Sequence, residues 1–258
     1  MAQSLVLRLL FLLLLMPAAH ADELLIIPTR TVTTSYWWMP RERAIANLIL
    51  FSGGAGGIGY REGKPQSGNF LIRSREYFAT GNPQAAFNVA LMGNASDMRQ
   101  LDDHHRVSRE HMQDIAAVIA QIRTQNALPI WLIGTSLGTI SAAAAAIELG
   151  SAVDGVVLTS SYVRFKSRYS VPQQDLSKIK IPILVMSHEQ DSCRVTLPRE
   201  MKYIMENLTE APIKKLLLLT GGDNPRGDEC GAFHWHGFIG MEARAANVVT
   251  DWIRQPTP

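Results

Sequence analysis

The sequence predicts an α/β fold: a mostly parallel central sheet with helices on both faces and little or no cap. Three observations carry this. Apolar strand-like runs alternate with helix-like segments along nearly all of the 258-residue chain. The run at 46–51 is apolar on both faces, as a strand covered on two sides must be. And Gly134-Thr135-Ser136-Leu137-Gly138 lies between an apolar strand, 129–133, and an alanine-rich helix, 141–149.

Composition fits one globular domain over residues 22–258. The chain is 47% hydrophobic and 19% charged, enough apolar content for a sizeable core. Its 25 basic and 23 acidic residues leave a net charge of +2, with no basic run to suggest nucleic acid and no acidic tail.

Residues 1–21 stand apart. Arg8 precedes a solid apolar run over 9–16, Pro17 ends it, and Ala19-His20-Ala21 supplies small residues at a cleavage position. The pattern is that of a secretory signal peptide, and the run is too short to span a bilayer. The mature chain is expected to begin at Asp22, to carry no membrane span and to be exported, to the periplasm or the medium. In an oxidising compartment its two cysteines, Cys193 and Cys230, are expected to pair.

Taken in order, 22–27 and 29–36 read as two edge strands, ended by the bulk of Trp37-Trp38-Met39. The strand at 46–51 runs into Ser52-Gly53-Gly54-Ala55-Gly56-Gly57-Ile58-Gly59. Residues 54–59 match G-x-G-x-x-G, but a dinucleotide site needs a helix to open from the glycines. Here Gly63 and Pro65 follow instead, so no nucleotide cofactor is expected. The stretch reads as a loop whose backbone N–H groups can hold an oxyanion. A helix is expected over 67–78 and a strand over 85–92, with Asp97 and Arg99 in the next loop. At the carboxyl edge of an open α/β sheet Asp97 and Arg99 could touch substrate, although charges in such a loop are more often simple surface charges.

Ser108 caps a helix over 108–125, with Ile115, Val118, Ile119 and Ile122 as its apolar stripe. Strands at 153–159, 181–186 and 213–220 alternate with helices at 196–207 and 237–253. About twenty irregular residues after Thr159 are short for a cap.

Gly-x-Ser-x-Gly between strand and helix is a nucleophile-elbow pattern. The turn exposes the serine hydroxyl and brings backbones too close for side chains at 134 and 138. A serine hydroxyl needs a base, and the base needs a partner to fix its tautomer. On such a sheet the chain order is serine, acid, histidine. Ser136, Asp191 and His236 satisfy it, with Glu189 or Asp223 as alternative acids and His234 as alternative base. Leu137, next after the nucleophile, supplies one backbone oxyanion donor; Gly54 supplies the second, with Ala55 close behind. A Cys193–Cys230 bond would join the acid loop to the histidine loop. Histidines at 104, 105, 111, 234 and 236 form no ligand-spaced motif, and no metal site is expected.

These residues together resemble the α/β-hydrolase superfamily over essentially the whole mature chain. Phe51-Ser52-Gly53-Gly54, the G-T-S-x-G of 134–138, Asp191-Ser192-Cys193 and His236-Gly237-Phe238 resemble small exported bacterial serine hydrolases of esterase or dienelactone-hydrolase type. Ser52 departs from the lipase-type pattern, where a histidine often precedes the loop glycines. The resemblance implies hydrolysis of an ester or related acyl bond in a small-molecule or polymer substrate, without a cofactor. Transfer of the acyl group to an acceptor other than water uses the same residues. A binding protein on a hydrolase scaffold is a third possibility, disfavoured by the presence of all three side chains.

Overall fold

The computed structural model describes residues 21–81 and 85–258. Apart from Ala21, the expected signal segment lies outside the described residues. In chain order the strands and α-helices are β1 (Glu23–Pro28), β2 (Thr33–Met39), β3 (Ala44–Phe51), β4 (Tyr60–Arg61), β5 (Lys64–Pro65), α1 (Phe70–Arg73), α2 (Arg75–Thr80), β6 (Ala86–Met92), α3 (Arg109–Gln125), β7 (Ile130–Thr135), α4 (Gly138–Leu149), β8 (Gly155–Thr159), β9 (Ile183–His188), α5 (Lys202–Asn207), β10 (Lys214–Leu219) and α6 (Glu242–Arg254).

Eight strands form one sheet in the order β1-β2-β6-β3-β7-β8-β9-β10. All pairings from β6 to β10 are parallel, while β2 runs antiparallel to β1 and β6. The period of two along a strand sends alternate side chains to two cores. In β3, Ile49 and Phe51 join the core under α3, α4 and α5; Leu48 and Leu50 join the one under α1, α2 and α6. Helices on both faces bury the sheet twice, as expected of parallel strands. The loops after β3, β7, β8, β9 and β10 therefore gather at one edge of the sheet, where a site on such a fold forms.

Several expected elements differ. β2 is an interior strand: Tyr36 and Trp38 enter one core, Trp37 and Met39 the other, so the apolar bulk extends the strand through Met39. The helix expected from residue 67 starts at Phe70 and breaks at Ser74. Asn69 caps it, its side chain accepting the Leu71 N–H, and a cap cannot lie inside its own helix. The helix expected over 196–207 is regular only from Lys202, because Pro198 opens a 3₁₀ turn. The final helix starts at Glu242, not at 237. Trp235–Gly237 is a 3₁₀ turn, and left-handed Phe238 (φ 55°) ends it.

The glycine loop after β3 leads into the β4–β5 hairpin, with no helix opening from it. The region after β8 holds only 3₁₀ turns, Val171–Gln173 and Leu176–Lys178, before β9, so no cap covers the sheet edge there. No helix among the described residues is long and apolar enough to cross a membrane.

Candidate active site

Ser136 occupies the turn between β7 and α4 with φ at +54°. A non-glycine residue held in the left-handed region is a strained one, and the surrounding backbone must fix it. Here it does so closely. A Cβ on Gly134 would meet the Gly138 carbonyl oxygen, and one on Gly138 would overlap the Phe51 carbonyl oxygen. The Ser136 N–H donates to Thr159 O (3.1 Å) and Thr139 Oγ1 donates back to Ser136 O (2.6 Å).

Asp191 follows β9 by three residues and is buried. Its Oδ1 accepts the Cys193 N–H at 3.0 Å; its Oδ2 accepts the Thr196 hydroxyl at 3.0 Å and lies 3.1 Å from His236 Nδ1. A carboxylate can only accept, so Nδ1 carries the proton and Nε2 is left free as a base. Thr196 Oγ1 also lies 3.1 Å from His236 Nδ1. It donates its proton to Asp191 and turns a lone pair to the imidazole N–H, so Thr196 fixes both partners.

The backbone of His236 is held from behind. Ser160 Oγ donates to His236 O at 2.9 Å, and Arg73 Nη2 donates to Gly237 O at 2.6 Å while pairing with Glu242. His188, buried at the end of β9, stacks on Trp235 with ring centroids 4.7 Å apart. Its Nδ1 accepts the Gln190 N–H and its Nε2 donates to Gly221 O, so one ring joins the acid loop to the histidine loop. The Cys193–Cys230 disulfide joins them again, across 37 residues.

Ser136 and His236 line the same open cleft, of about 350 Å³, with Gly53, Gly54, Asn69 and Phe70. Among the described residues Phe70 is the only large apolar side chain in the lining. Leu137 stands at the N-cap position of α4, and Gly54 has φ at +58°. Among the described residues neither backbone N–H has a hydrogen-bond partner. Behind the glycine turn lies a buried cation. Arg106, 1% exposed, donates to Ser52 O and Gly54 O (both 3.1 Å), to Leu101 O and to Ser141 Oγ on α4. Burial lowers its pKa to about 10. His111, whose Nε2 lies 3.0 Å from the same Ser141 hydroxyl, is pushed down to about 3, by burial first and then by the Arg106 charge.

The structure thus brings Asp191 and His236 into contact and puts Ser136, His236 and Gly54 on one cleft. It does not bring Asp97 there: both carboxylate oxygens are taken by Arg30, at 2.9 and 3.2 Å. Glu189 and Asp223 are exposed, and neither they nor His234 line the cleft. Thr196, Asn69 and Arg106 were not singled out by sequence. For Asn69 a signal existed, an asparagine directly before an apolar helical start. Arg106 meets Ser52 and Gly54 from 54 and 52 residues away, and Thr196, though near Asp191 in sequence, meets His236 40 residues on.

No protein-family model matches the sequence, and no curated protein sequence matches it. Solved structures do. The chain is similar to an esterase of Pyrococcus furiosus, at 14% identity over 92% of each chain with a TM-score of 0.66. It is similar to a dienelactone hydrolase of Anabaena variabilis, at 14% identity over 92% of this chain and 99% of that one (TM-score 0.64). It is also similar to a serine hydrolase without lid from Xanthomonas campestris, at 15% identity over 94% and 98% (TM-score 0.62). At such identities the likeness is one of fold, and the fold is that of the α/β hydrolases.

Proposed function

We propose that this protein is an exported serine hydrolase that cleaves an ester or related acyl bond. The observation that carries the reading is the His236 Nδ1–Asp191 Oδ2 contact of 3.1 Å beside a cleft that His236 shares with Ser136 on its positive-φ turn. Hydrolases and esterases among the structural neighbours support it.

The chemistry closes within these side chains and water. Ser136 Oγ attacks the carbonyl carbon as its proton passes to His236 Nε2. The resulting imidazolium is stabilised by Asp191, which stays ionised. The Leu137 and Gly54 N–H groups, both without a hydrogen-bond partner among the described residues, hold the oxyanion. Collapse breaks the bond to the leaving alkoxide, which takes the proton from His236. Water then attacks the acyl carbon as its proton passes to His236 Nε2, and collapse breaks the bond to Ser136 Oγ, which takes that proton back as the acid product leaves. A polar, uncapped cleft suits short acyl chains, on a small molecule or on a polymer.

Residues 1–21 act as a signal peptide in this reading, and the mature domain is 22–258. The disulfide supports passage to an oxidising compartment. The test is hydrolysis of a panel of aryl and alkyl esters, thioesters and amides by the purified mature chain. Turnover should be abolished by Ser136→Ala; a variant that hydrolyses at the wild-type rate refutes the assignment.

A further inference from the structure

We propose that Asn69 is a further catalytic residue, whose side-chain amide donates a third hydrogen bond to the oxyanion formed on attack by Ser136. The inference rests on the serine-hydrolase reading and deepens it.

Asn69 lines the cleft with Ser136 and His236. Its amide orientation is fixed by chemistry. Oδ1 accepts the Leu71 N–H at 3.1 Å, and a backbone N–H can only donate, so the oxygen must face the helix. The NH₂ end is thereby turned the other way, and among the described residues Nδ2 has no hydrogen-bond partner. The residue is held twice over, because its own backbone N–H donates to Ser67 Oγ at 3.2 Å. A donor fixed by other bonds before substrate arrives loses little on forming one more, which is what oxyanion stabilisation requires.

Its place relative to the nucleophile is set by Gly53. The point where a Cβ on Gly53 would lie is 2.9 Å from Ser136 Cβ, 3.0 Å from Thr135 O and 3.5 Å from Asn69 Nδ2. Nδ2 and the nucleophile side chain thus flank one empty point on the glycine turn that also carries the Gly54 N–H. A substrate carbonyl over Ser136 has the free Asn69 N–H groups as neighbours. The cap interaction accounts for the amide oxygen alone. A serine or an aspartate would serve as well there, and neither would leave a free N–H₂ facing the cleft.

Those two residues define the experiment. Asn69→Ser and Asn69→Asp both keep an acceptor for Leu71 and remove the amide donor, so both retain the start of α1. Circular dichroism and melting temperature verify folding. With p-nitrophenyl acetate and a fluorophosphonate as probes, the mature wild type should turn over the ester and be labelled at Ser136. Asn69→Ser should lower kcat by at least about tenfold, in the direction of the hundredfold or more that loss of one oxyanion donor causes. KM should stay within about threefold, as for a contact made only in the transition state. Phosphonylation should slow in parallel. Asn69→Asp should be slower still, its carboxylate facing the developing anion. Folded variants with kcat within about threefold of wild type overturn the proposal, and so does a rise in KM with kcat unchanged. A wild type inert to both probes overturns the serine-hydrolase reading and this inference with it. An active wild type with unimpaired variants overturns the inference alone.

Discussion

Reducing the Cys193–Cys230 disulfide separates what it contributes to stability from what it contributes to the site. The bond spans 37 residues, and the chain-entropy relation gives about 4 kcal/mol at 25 °C for a loop of that length. For a domain of this size that corresponds to a fall in melting temperature of about 8–15 °C. The effect on chemistry should be far smaller. The acid retains the Thr196 hydroxyl and the Cys193 N–H, and the histidine backbone retains Ser160 and, through Gly237, Arg73. The disulfide's main hold is on the exposed stretch 221–230, which contains no helix or strand and is otherwise tied by the His188–Gly221 and Arg226–Phe233 hydrogen bonds. Reduction should therefore cost less than about tenfold in kcat, under ~1.4 kcal/mol, well below the melting transition. The assay is thermal unfolding and ester turnover at 20 °C, with and without a phosphine reductant, against Cys230→Ala as a control that reductant cannot change. An unchanged melting temperature would refute the loop-entropy estimate. Abolished turnover in a protein still folded would show that the disulfide, and not the surrounding hydrogen bonds, places His236 against Asp191.

Further perturbations address single contacts. Thr196→Val keeps the shape of a buried side chain and removes the hydroxyl shared by Asp191 and His236. Losing a bond to a charged group should cost about 1.5–3 kcal/mol of stability, seen as a lower urea midpoint, and about tenfold in kcat with little change in KM. Unchanged kcat would mean that the hydroxyl positions nothing. Gly53→Ala would press a methyl to 2.9 Å from Ser136 Cβ and 3.0 Å from Thr135 O, and should reduce kcat more than it reduces the melting temperature. A fully active variant would show that the turn can move away from the nucleophile. His111 gives the pH dependence. Its folded pKa, about 3, lies below the unfolded value near 6.5, so the unfolded chain binds the extra proton between them. Its contribution is intact above pH 6.5 and is lost as pH falls towards 3, with a slope approaching about 1.4 kcal/mol per unit. Urea midpoints measured from pH 7 to 4 should fall, and His111→Gln should flatten the fall; a variant with the same slope would assign it elsewhere.

What was legible in the sequence was what short-range packing dictates. Gly134 and Gly138 face backbone atoms that admit no side chain, so the pattern around Ser136 is written into adjacent residues. Strands apolar on both faces announced the doubly covered sheet, and Asp191 could be placed because β9 is a strong strand with a polar loop after it. The remainder depends on distant partners. Trp37 and Trp38 read as the end of an edge strand, because nothing local reveals that β6 pairs on the far side of β2. In sequence His236 reads as the residue directly before a helix at 237–253, whereas it lies in a 3₁₀ turn and α6 opens six positions later, at Glu242; its bond to Asp191 joins residues 45 apart. Arg106 reads as one charge in a polar stretch. Only folding shows that it is fully buried against the carbonyls of Ser52 and Gly54, 54 and 52 residues away.

The central claim is an activated Ser136, and time-resolved labelling of the mature chain with a fluorophosphonate, read by intact mass and peptide mapping, tests it most directly. A single adduct is expected on Ser136, absent in Ser136→Ala and slowed by orders of magnitude in His236→Ala. Well-folded wild-type protein that takes no adduct, or an adduct on Ser136 formed as fast without His236, would contradict it.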